Sequence, residues 1–325
     1  MTAPRSRWAR IGRIATGLFL LVVAALLLRY ARSVDWREVA QVLAAYEAPA
    51  LFGAGLLAAG SFGLYMAYDL AARRFTGHTV PALRTMEIAF VTYAVSLNLG
   101  ALIGGGGFRL RLYSREGLRP GLIGRIVGFS VTTNWLGYIA LAGVLFASGA
   151  MQLPDGLAGY RGALRWLGFG MLAVGLAYLV ACAAYHGRRW HVRGHVFHLP
   201  TLPLALLQFL LACTNWLLIA GILHVLLPGP VPYPTVVGVL LLSGIAAAMV
   251  HVPAGLGVME AVFIGMLGHR LDEEALLAAL LAYRAIYYLA PLLTATLLFL
   301  KLEARAGRAR TRASRPSPPH DGAPP

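Results

Sequence analysis

Three charged side chains stand inside or against long apolar runs of this chain. Arg109 follows Gly104–Gly107, Glu260 follows Gly255-Leu256-Gly257, and Arg284 sits in the centre of LLAYRAIYYLAP. Arginine keeps its charge in any protein environment, and its planar fork of donors fits a phosphate or a carboxylate bidentately. A carboxylate in an apolar segment costs several kcal/mol unless it is paired or protonated. Glu260 therefore needs a partner, and Arg284 and Arg109 are the two candidates. Two chemistries follow: a buried ion pair that clamps the fold, or arginines that hold an anionic group while Glu260 competes for them.

The backbone around these charges is as unusual as the charges. In SLNLGALIGGGGFRLRLYSREGL, from Ser96 to Leu118, four consecutive glycines interrupt an apolar run, which predicts unwound backbone. Such backbone survives at membrane depth only where it is buried in protein or lines a polar cavity. A second break falls at Pro253-Ala254-Gly255-Leu256-Gly257.

The elements that must position these breaks are membrane helices. Hydrophobic residues make up 58% of the chain and charged residues 13%, so the fold class is all-α, a polytopic helical membrane protein. Clear spans read as Ile14–Leu28, Ala48–Ala72, Leu122–Ala147, Trp166–Ala184, Leu202–Leu227 and Ala275–Leu300. With the two broken segments, Glu87–Ile103 and Thr235–Gly268, there are about eight spans or half-span pairs. Val34–Glu47 has amphipathic spacing and is expected at the interface. Residues 1–303 form the membrane domain, and Ala304–Pro325 is expected to be a disordered basic tail on the cytoplasmic side. The N-terminal arginines before Ile14 resemble a signal peptide, but Arg29-Tyr30-Ala31-Arg32 offers no small-residue cleavage site.

Arginine placement decides the topology. The net charge is +15, and every basic residue except Lys301 is arginine. With both termini cytoplasmic and Glu87–Ile103 returning to the side it entered from, 21 basic residues lie inside and six outside. A full crossing there would move Arg109–Arg125 outside and invert every later loop. By the same parity Thr235–Gly268 leaves from and returns to the outer face. The two breaks thus enter from opposite sides. An offset of 151 residues places Gly104 on Gly255, Gly106 on Gly257 and Arg109 on Glu260. This is the pattern of an inverted repeat, about 48–147 against 202–300, as in many secondary transporters. A second match, Thr133-Asn134-Trp135-Leu136 with Thr214-Asn215-Trp216-Leu217, has an offset of 81 and no place in that register.

Other polar residues read more simply. Asp69 and Glu87 lie near helix ends, where snorkelling is the first reading, and Arg111, Arg115 and Arg119 read as solvated loop charges. Asn98, Asn134 and Asn215 suit hydrogen bonds between helices. Tyr283, Tyr287 and Tyr288 suit packing or headgroup contact. His191 and His195 could share a metal if helical, but no carboxylate or cysteine accompanies them, so no metal or cofactor is expected. His251 beside Pro253 suits a pore histidine. Cys182 and Cys213 both lie in apolar segments, which excludes a disulfide framework. The arginines flank apolar spans without a docking module, so nucleic acid is not an expected partner. No nucleophile, phosphate loop or metal signature is present, so the chain is not expected to be an enzyme.

The runs SLNLGALIGGGGFRLRLYSREGL, TTNWLGY, HVPAGLGVMEAVF and LLAYRAIYYLAPLL together resemble the membrane domain of the lysylphosphatidylglycerol synthase/flippase family. The likeness spans about Val34 to Glu303 and is greatest to the short stand-alone bacterial inner-membrane branch, which lacks the aminoacyltransferase domain. The matched positions are Asn98, Gly105, Arg109, Arg111, Tyr113, Gly117, Gly255, Gly257, Glu260, Arg284 and Pro291. The resemblance implies a lipid translocase or flippase-like transporter in the bacterial cytoplasmic membrane and leaves the lipid undefined, while Arg109 and Arg284 suit a phospholipid of anionic or modified headgroup as its substrate. With the glycine tetrad added, the candidate substrate-binding set is Asn98, Gly104, Gly105, Gly106, Arg109, Arg111, Tyr113, Gly255, Gly257, Glu260 and Arg284. From another class comes a non-transporting accessory protein that scaffolds or regulates a lipid-modifying enzyme. A small-solute or ion-coupled transporter on the same plan is the third reading.

Overall fold

In a computed structural model of the chain, the described residues are 32, 35–185, 188, 190–192, 195–250 and 255–313. Ile14–Leu28, His186, His251 and Pro253 lie outside them. The chain divides into two units, Met1–Glu47 and Ala48–Pro325. In the first, helix α1 (Trp36–Ala44) begins where Asp35 Oδ1 accepts the N–H groups of Arg37 and Glu38 at 2.9 and 3.1 Å. This is the amphipathic segment that the sequence predicts.

Among the described residues, the regular structure of the second unit is helical apart from a two-stranded antiparallel ribbon, β1 (Trp190–Val192) with β2 (His195–Phe197). His191 and His195 therefore lie on opposing strands rather than one turn apart on a helix. The helices are α2 (Ala48–Thr76), α3 (Ala82–Leu99), α4 (Arg109–Arg115), α5 (Pro120–Ser148), α6 (Arg161–Tyr185), α7 (Leu202–Leu226), α8 (Tyr233–Val250), α9 (Val258–Leu267), α10 (Glu273–Arg284) and α11 (Ala290–Ala313). Among the described residues, six helical stretches are long and apolar enough to cross a membrane: Ala48–Thr76, Pro120–Ser148, Ala158–Tyr185, Leu202–Leu226, Tyr233–Val250 and Glu273–Leu302. The chain is a multi-pass helical membrane protein. Helix α11 is drawn as far as Ala313, into the segment expected from Ala304 to be a basic tail. Its alanines and arginines are good helix formers, and residues 314–325 lie outside the described ones.

The first break is a hairpin. Gly100, at φ 89° and ψ 160°, turns the chain at the tip of α3, a conformation that only glycine adopts without strain. The return limb is α4, and Arg84 Nε near the start of α3 meets Glu116 Oε1 just after α4 at 3.0 Å. Both ends of this segment therefore lie on one side, as charge counting predicts. The glycine tetrad is not unwound, however. Ala101–Phe108 is a π-helix, and Gly104 N still donates to Gly100 O at 3.0 Å. What the tetrad supplies is close approach: a Cβ on Gly104 would overlap the backbone of Ser96 and lie 2.6 Å from its Oγ.

The second break is a hairpin from the opposite end. Gln152, in the loop after α5, accepts from Arg270 Nη1 beyond α9, and its N–H donates to Thr235 Oγ1 at the start of α8 at 3.2 Å. Gln152 and Glu116 flank opposite ends of α5, whose 29 residues span about 43 Å. The 151-residue offset carries Ala82 onto Tyr233 and Leu99 onto Val250, the first and last residues of α8. The helices before each hairpin, α2 and α7, cross at mid-length, where Ser61 Oγ donates to Asn215 Oδ1 at 2.6 Å. Their glycines face leucines reciprocally, Gly60 against Leu218 and Gly221 against Leu57. The repeated Thr-Asn-Trp-Leu run also gains an account. Its two copies lie on α5 and α7, parallel neighbours that touch there, with Trp216 Nε1 donating to Asn134 O at 3.3 Å.

Candidate functional site

At each break an arginine is held by a carboxylate, and the pairing differs from one alternative that the sequence left open. Arg109, the first residue of α4, pairs with Asp69 rather than Glu260: Nη2 donates to Oδ1 at 2.7 Å and Nε to Oδ2 at 3.3 Å. Tyr113, one turn on, donates its hydroxyl to Oδ2 at 3.0 Å, and Ser130 Oγ of α5 donates to Oδ1 at 3.1 Å. Side-chain exposure is 3% for Arg109 and 0% for Asp69. Asp69 is therefore no snorkelling charge. Arg73, one turn on in α2, reaches the Val80 carbonyl at 2.7 Å. The sequence signal for Asp69 was its register. It shares the face of α2 that buries Ala54, Ala58, Ser61, Phe62, Tyr65 and Ala72.

The second pair is open. Gly255 and Gly257 have φ of 59° and 79°, and the chain turns there into α9. Glu260 sits in the first turn of α9, where its Oε2 accepts the Gly257 N–H at 2.9 Å. Arg284 ends α10 and reaches across, with Nε to Oε1 at 2.8 Å and Nη2 to Oε2 at 3.2 Å. Nη2 also approaches the Gly255 carbonyl at 3.4 Å. Glu260 remains 22% exposed while Arg284 is 7% exposed. Among the described residues, the carboxylate thus occupies a small anion site built from a guanidinium and a backbone N–H, and it is reachable from outside the protein.

The two pairs are joined by aromatic rings. Arg109 lies over Tyr93 at 4.6 Å, and Tyr93 stacks on Tyr65 at 4.1 Å. The row continues through Phe62 and Tyr287 to Tyr283 and Tyr288, and Arg284 lies over Tyr288 at 5.8 Å. Tyr287 closes the central polar cluster, its hydroxyl 2.8 Å from Ser61 Oγ. A π-helix at Ala285–Leu289 precedes Pro291, whose ring and missing N–H disfavour an ordinary turn there.

The remaining predicted residues are scattered. Asn98 bridges helices, its Nδ2 donating to Ala94 O at 2.8 Å and Tyr288 O at 3.2 Å. Gly104 and Gly105 are buried against Ser96, Gly106 faces open space, and Arg111 is half-buried on α4. Gly117, at φ 85°, makes the turn that leads from α4 towards α5. Asp69, Tyr93 and Ser130 were not among the predicted site residues. No three His, Cys, Asp or Glu side chains converge among the described residues as a metal site would require.

Comparison with known proteins decides the family. The lysylphosphatidylglycerol synthase TM region matches residues 14–295. The chain belongs to this family. It is 43% identical over 313 residues to the inner membrane protein YbhN of Escherichia coli K12, covering 96% of this chain and 98% of that one. An uncharacterised Synechocystis protein is 31% identical over 89% of this chain and 92% of its own length. A phosphatidylglycerol lysyltransferase of Staphylococcus haemolyticus is 23% identical over 87% of this chain, but the match takes in only 33% of that protein.

Proposed function

We propose that this protein moves an anionic phospholipid between the leaflets of a bacterial cytoplasmic membrane, with both termini on the cytoplasmic side. The observation that carries the reading is the partly exposed Glu260–Arg284 pair at the Gly255–Gly257 break. A headgroup phosphate offers the same two-oxygen face as the Glu260 carboxylate. It would take the Arg284 fork and the Gly257 N–H, while Glu260 swings to its open side. Return of Glu260 to Arg284 releases the headgroup, because either oxyanion left without donors at that depth costs several kcal/mol. Arg109, bound on two sides by Asp69, has no such freedom, so the receptor role moves from Arg109 to Arg284. The exposed Leu293, Leu297 and Leu300 on α11 leave an apolar flank for the acyl chains. The process is carriage and makes no bond. The orientation rests on the arginine count, and the kinship to a phosphatidylglycerol lysyltransferase supports an anionic or aminoacylated glycerophospholipid as substrate.

The test is reconstitution into liposomes carrying fluorescent headgroup-labelled phosphatidylglycerol, with a membrane-impermeant quencher reporting the outer leaflet. Protein-dependent exchange is expected, and Glu260→Gln or Arg284→Ala should slow it about tenfold or more, the scale of one charge-assisted contact. No exchange above empty liposomes for any anionic or zwitterionic lipid would sink the proposal. It would favour the second reading, an accessory protein for a lipid-modifying enzyme. The specific support for that reading is that the shared region is only a third of the lysyltransferase relative.

A further inference from the structure

A groove of about 1040 Å³ that shares no lining residue with the Glu260–Arg284 pair opens between α5, α6 and α7 at the end where α5 begins. Its floor is the start of α5, where added Cβ atoms at Gly121, Gly124 and Gly128 meet nothing within 4 Å, so one face of the helix is bare. The bare stretch from Pro120 to Thr132 is about 18 Å long, close to the depth of one leaflet's hydrocarbon. Its inner end is closed by polar groups that already satisfy one another: Tyr178 donates to Gln208 at 2.7 Å, and Gln208 donates to Thr133 at 2.8 Å. Apart from Thr132, what lines the groove between that end and the mouth is apolar.

The mouth is cationic. Arg119 is exposed there, and Arg125 lies beside it, 3.0 Å from the His198 ring and 5.8 Å above Phe75. Among the described residues, no carboxylate lines the groove. The first turns of two long helices also meet at this mouth, α5 after Arg119 and α7 after Thr201, and neither cap residue makes a side-chain hydrogen bond to its helix. Their dipoles add positive potential where the arginines already stand. A free phosphate would use the mouth and leave the floor bare, whereas a neutral lipid would use the floor and leave the arginines without a counter-ion. An anionic phospholipid uses both.

We propose that this groove is a binding site for one anionic phospholipid, with its phosphate on Arg125 and Arg119 and one acyl chain on the glycine floor of α5. The occupancy is an equilibrium property and does not depend on translocation at Glu260, so either claim can fail without the other. The test uses the full chain in phosphatidylcholine nanodiscs doped with phosphatidylglycerol bearing a photoactivatable acyl chain, read by mapping the cross-linked peptides. Cross-links should concentrate on 120–132 and Tyr178. Arg119→Ala, a change at an exposed position that leaves packing intact, should weaken them severalfold, and Arg119→Ala with Arg125→Ala about tenfold or more. Gly124→Leu should remove them by filling the floor, with Gly128→Leu as a second variant should the first not fold. Equal labelling by photoactivatable phosphatidylcholine, or labelling indifferent to both arginines, would overturn the site as an ordinary lipid annulus. Loss of the cross-link on adding inorganic phosphate at physiological concentration would overturn it as an anion site alone.

Discussion

The Asp69–Arg109 and Glu260–Arg284 pairs share a chemistry and a closest contact, 2.7 and 2.8 Å, yet differ in everything around that contact. Asp69 has four donor contacts from three side chains on two elements and no exposure. Among the described residues, Glu260 has one side-chain partner, one backbone N–H and an open flank. A carboxylate whose lone pairs are all engaged in a sealed site has nothing to exchange for, so the first pair locks the α3–α4 hairpin onto α2 and α5. A carboxylate with few partners and a path to the outside can trade places with another oxyanion. The contrast teaches that a charge pair's role follows from its spare coordination and access rather than from its contact distance.

The sharpest way to break this contrast is at Asp69. Asp69→Ala leaves Arg109 buried without its counter-charge, and the expected loss is about 3–5 kcal/mol of stability. Thermal unfolding of the purified protein in detergent should show a large fall in Tm or no recoverable protein. Replacing both partners, Asp69→Leu with Arg109→Met, should recover most of that loss, because a well-packed apolar pair avoids the desolvation cost. A wild-type Tm for Asp69→Ala would refute the clamp. A double variant as damaged as the single one would show that Arg109 has a duty beyond pairing.

Next in size are the glycines that close the two hairpins. Gly104→Ala forces a methyl into the Ser96 backbone and should cost about 1–3 kcal/mol, whereas Gly106→Ala, two residues on in the same π-helix, meets open space. The latter should be neutral or stabilising by up to about 1 kcal/mol, since glycine is the more costly residue to order. The second hairpin inverts this logic. A Cβ at Gly257 also meets nothing, but its φ of 79° makes any side chain strained, so Gly257→Ala should cost about 1–3 kcal/mol by conformation alone. Equal Tm values for Gly104→Ala and Gly106→Ala would mean that the first hairpin is not tightly closed.

Much of the fold was legible in the sequence because the membrane leaves few options. Long apolar runs must be helices, and arginine bias fixed the same-side return of Glu87–Ile103 that the Arg84–Glu116 contact now shows. The 151-residue register was legible from glycines, and it holds for element boundaries better than for the glycines themselves. Gly104 and Gly106 sit in a π-helix while Gly255 and Gly257 make a turn at positive φ. Two sites of failure have physical causes. Glycine permits both an unwound strand and a close helical contact, and only the partner, Ser96, tells them apart. Ion pairing joins residues distant in sequence, so Asp69 was read from its place near a helix end, whereas its partner lies 40 residues away on another helix. The Glu260–Arg284 pair was legible because both stand alone in apolar runs, which leaves each few partners.

The smallest effect expected is a pH dependence confined to the sealed side. His78, in the turn between α2 and α3, is buried, its ring edge-on to Tyr113 at 5.7 Å. Burial, reinforced by the Arg73 charge and opposed by Asp69, pushes its pKa below the ordinary histidine value. The folded protein thus prefers His78 neutral, while the unfolded chain takes up a proton near pH 6.5. Above that pH the residue contributes no pH dependence. As pH falls below it the unfolded state binds more protons, and stability is lost until the folded pKa is reached. Between pH 7.5 and 5.5 the Tm should fall by a few degrees more in the wild type than in His78→Phe, which keeps the ring contact and removes the titration. Identical pH slopes in the two proteins would place the acid sensitivity elsewhere. The accessible Glu260–Arg284 side would then be the next place to look, and the division into a sealed clamp and an open exchange site would have to be redrawn.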